Sequence, residues 1–388
     1  MTGASRSRWV RGLGLASGVL LLLLVAGGAG WQMLRTYFVH RYHRETCEPE
    51  ELSAGTVGSF PEQHHLENVP WIATREWYCQ ANSLAMVAAQ HGMDVPTARC
   101  SFLMGFTYGA SAVPGSVLVQ FFAEPEAGLA VAAPYLGLRR RYTTTDDAKL
   151  FLDALRFHVS QGRAVRLGLD AAVLYGLEGQ LPHSEVLVGY DDKGFRYYET
   201  VCLPEFRCEP GHRPPGEEGL WMSDAKLLAA VRSQSRMFSY PWRYSLTVFD
   251  KAQLQDDLKP IWMRNGRLLI GGAQYGPRQG ADAIEELAAN IEKRGPRVDA
   301  LGVRTALEAA VFTRLDNAAY LPGAFSGEAD VEQAAELLKR AGGHYADARM
   351  ALGDGIADRA EADWIAANLR DAAAAEREVG EIFLARGR

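Results

Sequence analysis

The sequence predicts an α+β region followed by an all-α region, behind one N-terminal transmembrane helix. Three observations carry this. A single uncharged apolar run lies near the start. Residues 61–248 alternate helical and strand-like patterns. Residues 249–388 are Ala-rich and poor in β-branched residues, which favours helix. The expected divisions are a basic tail over 1–12, a transmembrane helix over 13–34, a stalk over 35–60, the α+β domain over 61–248 and a helical domain over 249–388.

The apolar run Leu13–Leu34 has the length of a helix crossing the ~30 Å hydrocarbon layer. Arg6, Arg8 and Arg11 precede it, and Arg35, Arg41 and Arg44 follow. The flanking charges balance, so they set no orientation. A short basic tail ahead of an apolar run behaves as a signal anchor. The expectation is N-terminus inside and body outside, with a cleaved signal peptide as the rival. Beyond residue 44 the chain holds 35 basic against 47 acidic residues, net −12. That balance argues against binding a phosphate backbone, so no nucleic-acid partner is expected. No glycine-rich loop follows a strand in a G-x-G-x-x-G pattern, so no nucleotide cofactor is expected either.

Five cysteines are present: Cys47, Cys79, Cys100, Cys202 and Cys208. Outside the cytoplasm, Cys202 and Cys208 can close a small disulfide loop, and Cys47 with Cys100 can form a second. Cys79 is then the thiol left over. Cys202, Cys208 and His212 match no strong zinc spacing, so no metal is expected.

In the helical half, Asp330 and Gln333 read as a capping box, and Gly323, Gly342, Gly343, Gly353 and Gly355 as helix punctuation. In the α+β half, Thr145 reads as the cap of a helix ended by Gly162. A strand Ala164–Asp170 follows, then two strands over Ser184–Thr200 about a turn at Asp191–Gly194. Arg139–Arg141 and the end of the strand at Asp170 read as solvated, and His64 and His65 as stalk residues.

Cys79 opens the helical segment CQANSLAMVAAQHG, with Gly92 as its C-terminal cap. Unpaired N–H groups and the helix dipole at such an N-terminus favour a thiolate. His183, ahead of the strand Val186–Tyr190, is the candidate acid/base. Glu199, closing the partner strand, is the candidate orienting group; Asp191 and a backbone carbonyl are its rivals. Register decides the matter. An even hairpin loop sends His183 and Glu199 to opposite faces, whereas an odd loop or a bulge, for which Gly194 is suited, brings them to one face. Trp71 reads as core. Trp77 and Tyr78 read as core or as a substrate wall.

A Cys opening a long helix, a His opening a strand and an acid closing the next strand resembles the papain-like order. The stretch His183–Glu199 is similar to the His half of bacteriocin-processing cysteine peptidases, with Glu199-Thr200 where those have Asp-Pro. The segments SFLMGFTYGASAVPG and GRAVRLGLD, ahead of the His strand, more closely resemble the butirosin biosynthesis protein H type of cysteine acyltransferase. The likeness covers about residues 66–250. It implies a papain-like domain in which Cys79 forms an acyl-enzyme. The Gln that papain-like peptidases place six residues before the Cys is Ala73 here. The Cys79 backbone N–H is then one oxyanion donor, and Gln80 and Asn82 are weak candidates for the second. Three activities follow: transfer of an acyl group from a peptide, amide or thioester to an amine; hydrolysis as a thiol peptidase or amidase; or a silent module that binds a peptide or partner. The helical region covers the cleft, binds a partner or stabilises the fold.

Overall fold

A computed structural model describes residues 36–37, 39–74, 78–112, 117, 119–202, 219–271 and 278–388. The apolar run 13–34, Trp77, Cys208 and His212 lie outside the described residues. Among the described residues no helix is long and apolar enough to cross a membrane.

The fold is α+β with a helical C-terminal region. The first part runs α1 (39–47), β1 (Glu50–Glu51), β2 (His64–His65), α2 (Cys79–Gln90), α3 (Thr97–Met104), β3 (Ser111–Ala112) and β4 (Val119–Gln120). It continues α4 (Pro125–Ala132), β5 (Leu138–Thr145), α5 (Ala148–Ser160), β6 (Val165–Asp170), α6 (Ala171–Tyr175), β7 (Pro182–Tyr190) and β8 (Gly194–Tyr198). Then come β9 (Leu220–Ser223), α7 (Asp224–Met237) and β10 (Tyr244–Lys251). The C-terminal part is α8 (Lys259–Ile270), β11 (Arg278–Gln279), α9 (Gly280–Arg294), α10 (Ala300–Ala324), α11 (Ala329–Leu352) and α12 (Arg359–Arg386). The main sheet has the order β1-β5-β10-β6-β7-β8-β9, with β2 also on β7.

Helix α2 is central. Every residue from Cys79 to Ala88 is buried, the polar Gln80, Asn82 and Ser83 with hydrogen-bond partners. Its alanines, Leu84 and Met86 are strong helix formers. Gly92 follows its end with φ +87°, the left-handed conformation that the sequence assigns to it.

The β7–β8 hairpin carries the register that the site needs. Tyr190 pairs with Phe195 across the four-residue turn 191–194, an even loop. Between Leu187 and Gly189 the register then shifts by one, which is a bulge at Val188. Beyond it Val186 faces Tyr198. Continuing that register sets Glu199 opposite Glu185, on the face that also carries His183. The irregularity is therefore on β7 and not at Gly194. Gly194 lacks a positive φ. It is glycine because a Cβ there would sit 2.1 Å from the Met222 carbonyl oxygen of β9. Asp191 makes the turn instead, its Oδ1 accepting from the N–H groups of Lys193 at 2.8 Å and Gly194 at 3.0 Å.

Several other expectations are corrected. The segment read as a stalk is packed: His43 and Cys47 are buried, β1 pairs with β5, and His64 and His65 pair with Tyr190 and Gly189. Asp147, not Thr145, caps α5, accepting from the N–H groups of Lys149 and Leu150; Thr145 accepts from Asp147 N–H one step earlier. Asp170 is fully buried and caps α6. Arg140 is buried between flanking Arg139 and Arg141, because alternate strand residues face opposite ways. Helix α11 starts from Glu328, so Asp330 lies in its first turn and pairs with Arg386. Gly342 and Gly343 lie inside α11; Gly342 lets α10 approach, with Leu315 3.0 Å from where its Cβ would be.

The two halves share their interior. The main core joins α2, β6, β7 and β10 to Leu321, Val331, Leu338, Val379 and Phe383. A second core joins α9–α12 to Ala112, Val119 and Phe121. Strand β11 completes a small sheet with β3 and β4.

Candidate active site

Cys79, His183 and Glu199 come together. Cys79 is the first residue of α2 and 5% exposed; His183 and Glu199 are fully buried. The His183 Nε2–H donates to Glu199 Oε1 at 2.6 Å. The Cys79 thiol acts on the same imidazole and helps to raise its pKa.

Glu199 is built to remain ionised. Its Oε1 also accepts from the N–H groups of Thr200 at 2.8 Å and Val201 at 2.9 Å, and its Oε2 accepts from the Tyr175 hydroxyl. Burial pushes its pKa up, but the His183 charge and these hydrogen bonds hold it below the usual carboxylate range. The indole of Trp71 donates to the Glu199 carbonyl at 2.7 Å, so Trp71 is a brace as well as core. Asp191, the rival orienting group, is spent in the β7–β8 turn.

Glu185 completes the constellation and was missed at the level of sequence. It is fully buried, with Oε1 3.1 Å from His183 Nε2. Its position two residues after His183 on a strand is the signal that could have found it. Burial first, and the Glu199 charge second, push its carboxyl well above the ordinary range. Burial lowers the His183 pKa, but Glu199 and Glu185 outweigh it and hold the imidazole well above its usual value.

The three donors His183, Glu185 and Glu199 lie within 4.8 Å of one another. Glu199 Oε1 already takes three N–H donors, which would compete with a cation at that oxygen.

A buried guanidinium ties the segments of Cys79 and His183 together from beneath. Arg166 donates to the Gln80 side-chain carbonyl, to Ser184 Oγ at 2.9 Å and to Glu126. Gln80 follows Cys79, and Ser184 follows His183. Ser83 Oγ lies 2.8 Å from Ser184 Oγ and donates to the Cys79 carbonyl at 2.8 Å. Glu126 is shared with Arg140 at 2.7 Å. Two guanidinium groups hold its carboxyl below the usual range against the effect of burial.

These contacts decide between the weak oxyanion candidates. Asn82 spends both amide hydrogens on Thr74 Oγ1 at 2.9 Å and the Thr200 carbonyl at 2.7 Å, while Thr97 donates to its carbonyl. It is a cross-brace, not an oxyanion donor. Gln80 turns its carbonyl to Arg166, so only its NH₂ group could donate. The Cys79 backbone N–H keeps its place at the helix start. The thiol itself packs with Ala171 and Val201, beside Tyr175 and Leu181.

Tyr78 is buried, and its hydroxyl donates to Asp316 of α10 at 2.6 Å. The residue before Cys79 is thereby held by the helical region, not left as a substrate wall.

Cys202 is disulfide-bonded, and Cys47 and Cys100 carry free thiols, so the second bridge expected between them does not form. Cys47 packs with Tyr142 and Trp242, whereas Cys100 is buried in α3 within the main core. A surface cavity of about 340 Å³ is lined by Glu48, Glu50, Arg140, Tyr142 and Gln253, and no residue of the Cys–His–Glu set reaches it. No protein-family model matches the chain, and no curated protein matches it.

Proposed function

We propose that the protein is a cysteine-dependent acyl-transfer enzyme, with Cys79 as nucleophile, His183 as acid/base and Glu199 as its orienting carboxylate. The observation that carries this reading is the Glu199–His183 hydrogen bond, with the Cys79 thiol at a helix N-terminus and acting on the same imidazole.

The Cys79 thiolate adds to the carbonyl carbon of a thioester, ester or amide. The carbonyl oxygen becomes an oxyanion facing the Cys79 backbone N–H. His183 gives its proton to the departing thiolate, alkoxide or amine, and the thioester acyl-enzyme remains. An amine then attacks, His183 takes its proton, and Cys79 leaves as the thiolate. Water in place of the amine turns the same cycle into hydrolysis. The order of residues shared with the butirosin biosynthesis protein H type supports an amine as acceptor.

We keep Leu13–Leu34 as a membrane anchor with the body outside. The disulfide at Cys202 supports an oxidising compartment.

The test is intact-mass detection of acylated full-length protein after mixing with an acyl thioester. The adduct should map to Cys79, be absent in Cys79→Ser, and clear faster when an amine is added. No adduct on Cys79, or one formed equally well by His183→Ala, would refute the reading.

A further inference from the structure

We propose that Glu185 is a second positioning carboxyl of this centre: neutral around pH 7, it ionises as the pH rises and then helps His183 keep its proton. The inference deepens the acyl-transfer reading and rests on it.

The geometry leaves Glu185 little choice. Glu185 and Glu199 face each other across β7 and β8 in the interior, with one imidazole between them. Two carboxylates this close in a water-poor site do not both ionise around a single positive charge without a large penalty. Glu199 wins the ionised state because it alone has the Thr200 and Val201 N–H groups and the Tyr175 hydroxyl. Neither Glu185 oxygen has a hydrogen-bond partner of that kind. The other groups facing Glu185 are His183 on its own strand and Tyr175 on α6. Its pairing position on β6 is Leu167, which carries no charge. Loss of the Glu185 proton therefore places a second negative charge 3.1 Å from His183 Nε2.

Around neutral pH His183 answers mainly to Glu199, and its proton can pass to a leaving group. At alkaline pH the ionised Glu185 makes the imidazolium a weaker acid, so the proton is retained and transfer slows.

The experiment is ¹⁵N-imidazole NMR of the full-length chain across pH, with the His183 signal assigned by its absence in His183→Ala. In Glu185→Gln, which is neutral at every pH, His183 should still be protonated at pH 7. It should then lose its proton roughly one pH unit or more below the wild type, about tenfold in proton affinity. An unchanged His183 titration would overturn the proposal, and so would loss of the imidazolium already at pH 7. Should Glu185→Gln not fold, Glu185→Met carries the same expectation. If neither neutral variant folds but Glu185→Asp does, the charge is required at neutral pH and the proposal fails. The acyl-transfer reading fails separately, if His183→Ala leaves the reactivity of Cys79 unchanged whatever the NMR shows.

Discussion

His183 is polarised by a carboxylate whose every oxygen is committed, and that commitment sets what substitution should do. Glu199→Gln keeps the shape but removes the charge that steadies the imidazolium. Acyl-enzyme formation should fall by roughly 10²–10⁴, the usual span of acid–base contributions, with melting temperature changed much less. A rate within twofold of the wild type would remove Glu199 from the mechanism. At this scale the sequence was informative about Cys79, His183 and Glu199, because each ends an element recognisable by pattern. It was uninformative about Arg166, Glu126 and Tyr175. A buried charge among strand residues is indistinguishable from a solvated one until its partners, here from α4 and α6, are in place. A separate residue governs acid stability. His158 is buried beside Arg163 and Arg141, which pushes its pKa down to about 4 from the ordinary 6.5. The folded state holds it neutral while the unfolded chain takes up a proton, so stability is lost as pH falls from about 6.5 to about 4. His158→Phe should flatten the decline in melting temperature over that window, and an unaltered decline would contradict the assignment.

The elements that position these residues depend on one inserted residue. With the even turn at 191–194, a regular hairpin would have put His183 and Glu199 on opposite faces. The bulge at Val188 restores them to one face. Periodicity could state this requirement but could not place the bulge. Gly189 of β7 receives β2, where a Cβ would come within 2.9 Å of His65 Nδ1. Residues first read as a stalk thus pack beside the strand that carries the bulge. Deleting Val188 should abolish acylation of Cys79 even in preparations that retain helical circular dichroism. Survival of activity would mean that the register is not what aligns the pair. Gly194→Ala should destabilise the protein by about 1–3 kcal/mol, as overpacking does, since the Met222 carbonyl occupies the place of the new Cβ. A denaturant titration checks the magnitude.

Across the whole molecule, the boundary near residue 249 is a change of composition and not a seam. Composition correctly marked the helical half, but Ala-rich helices do not announce which core they enter. Helices α10–α12 supply Leu321, Val331, Val379 and Phe383 to the core around α2, and Asp316 of α10 holds Tyr78. Arg314 is buried and bridges the halves, pairing with Glu376 at 2.7 Å and donating to the Thr107 carbonyl at 2.8 Å. Glu376→Ala would leave that guanidinium buried and uncompensated, costing about 3–5 kcal/mol. The same logic predicts that residues 61–248 do not fold alone, which limited proteolysis and calorimetry of the fragment would check. The measurement that bears most directly on the whole account is chloroacetamide alkylation of Cys79 at pH 7 in the full chain, compared among wild type, His183→Ala and Glu199→Gln by peptide mapping. A working thiolate–imidazolium pair predicts rapid, Cys79-selective modification that drops at least ~10-fold in both variants. Equal rates in all three proteins would contradict it and leave Cys79 an ordinary core thiol.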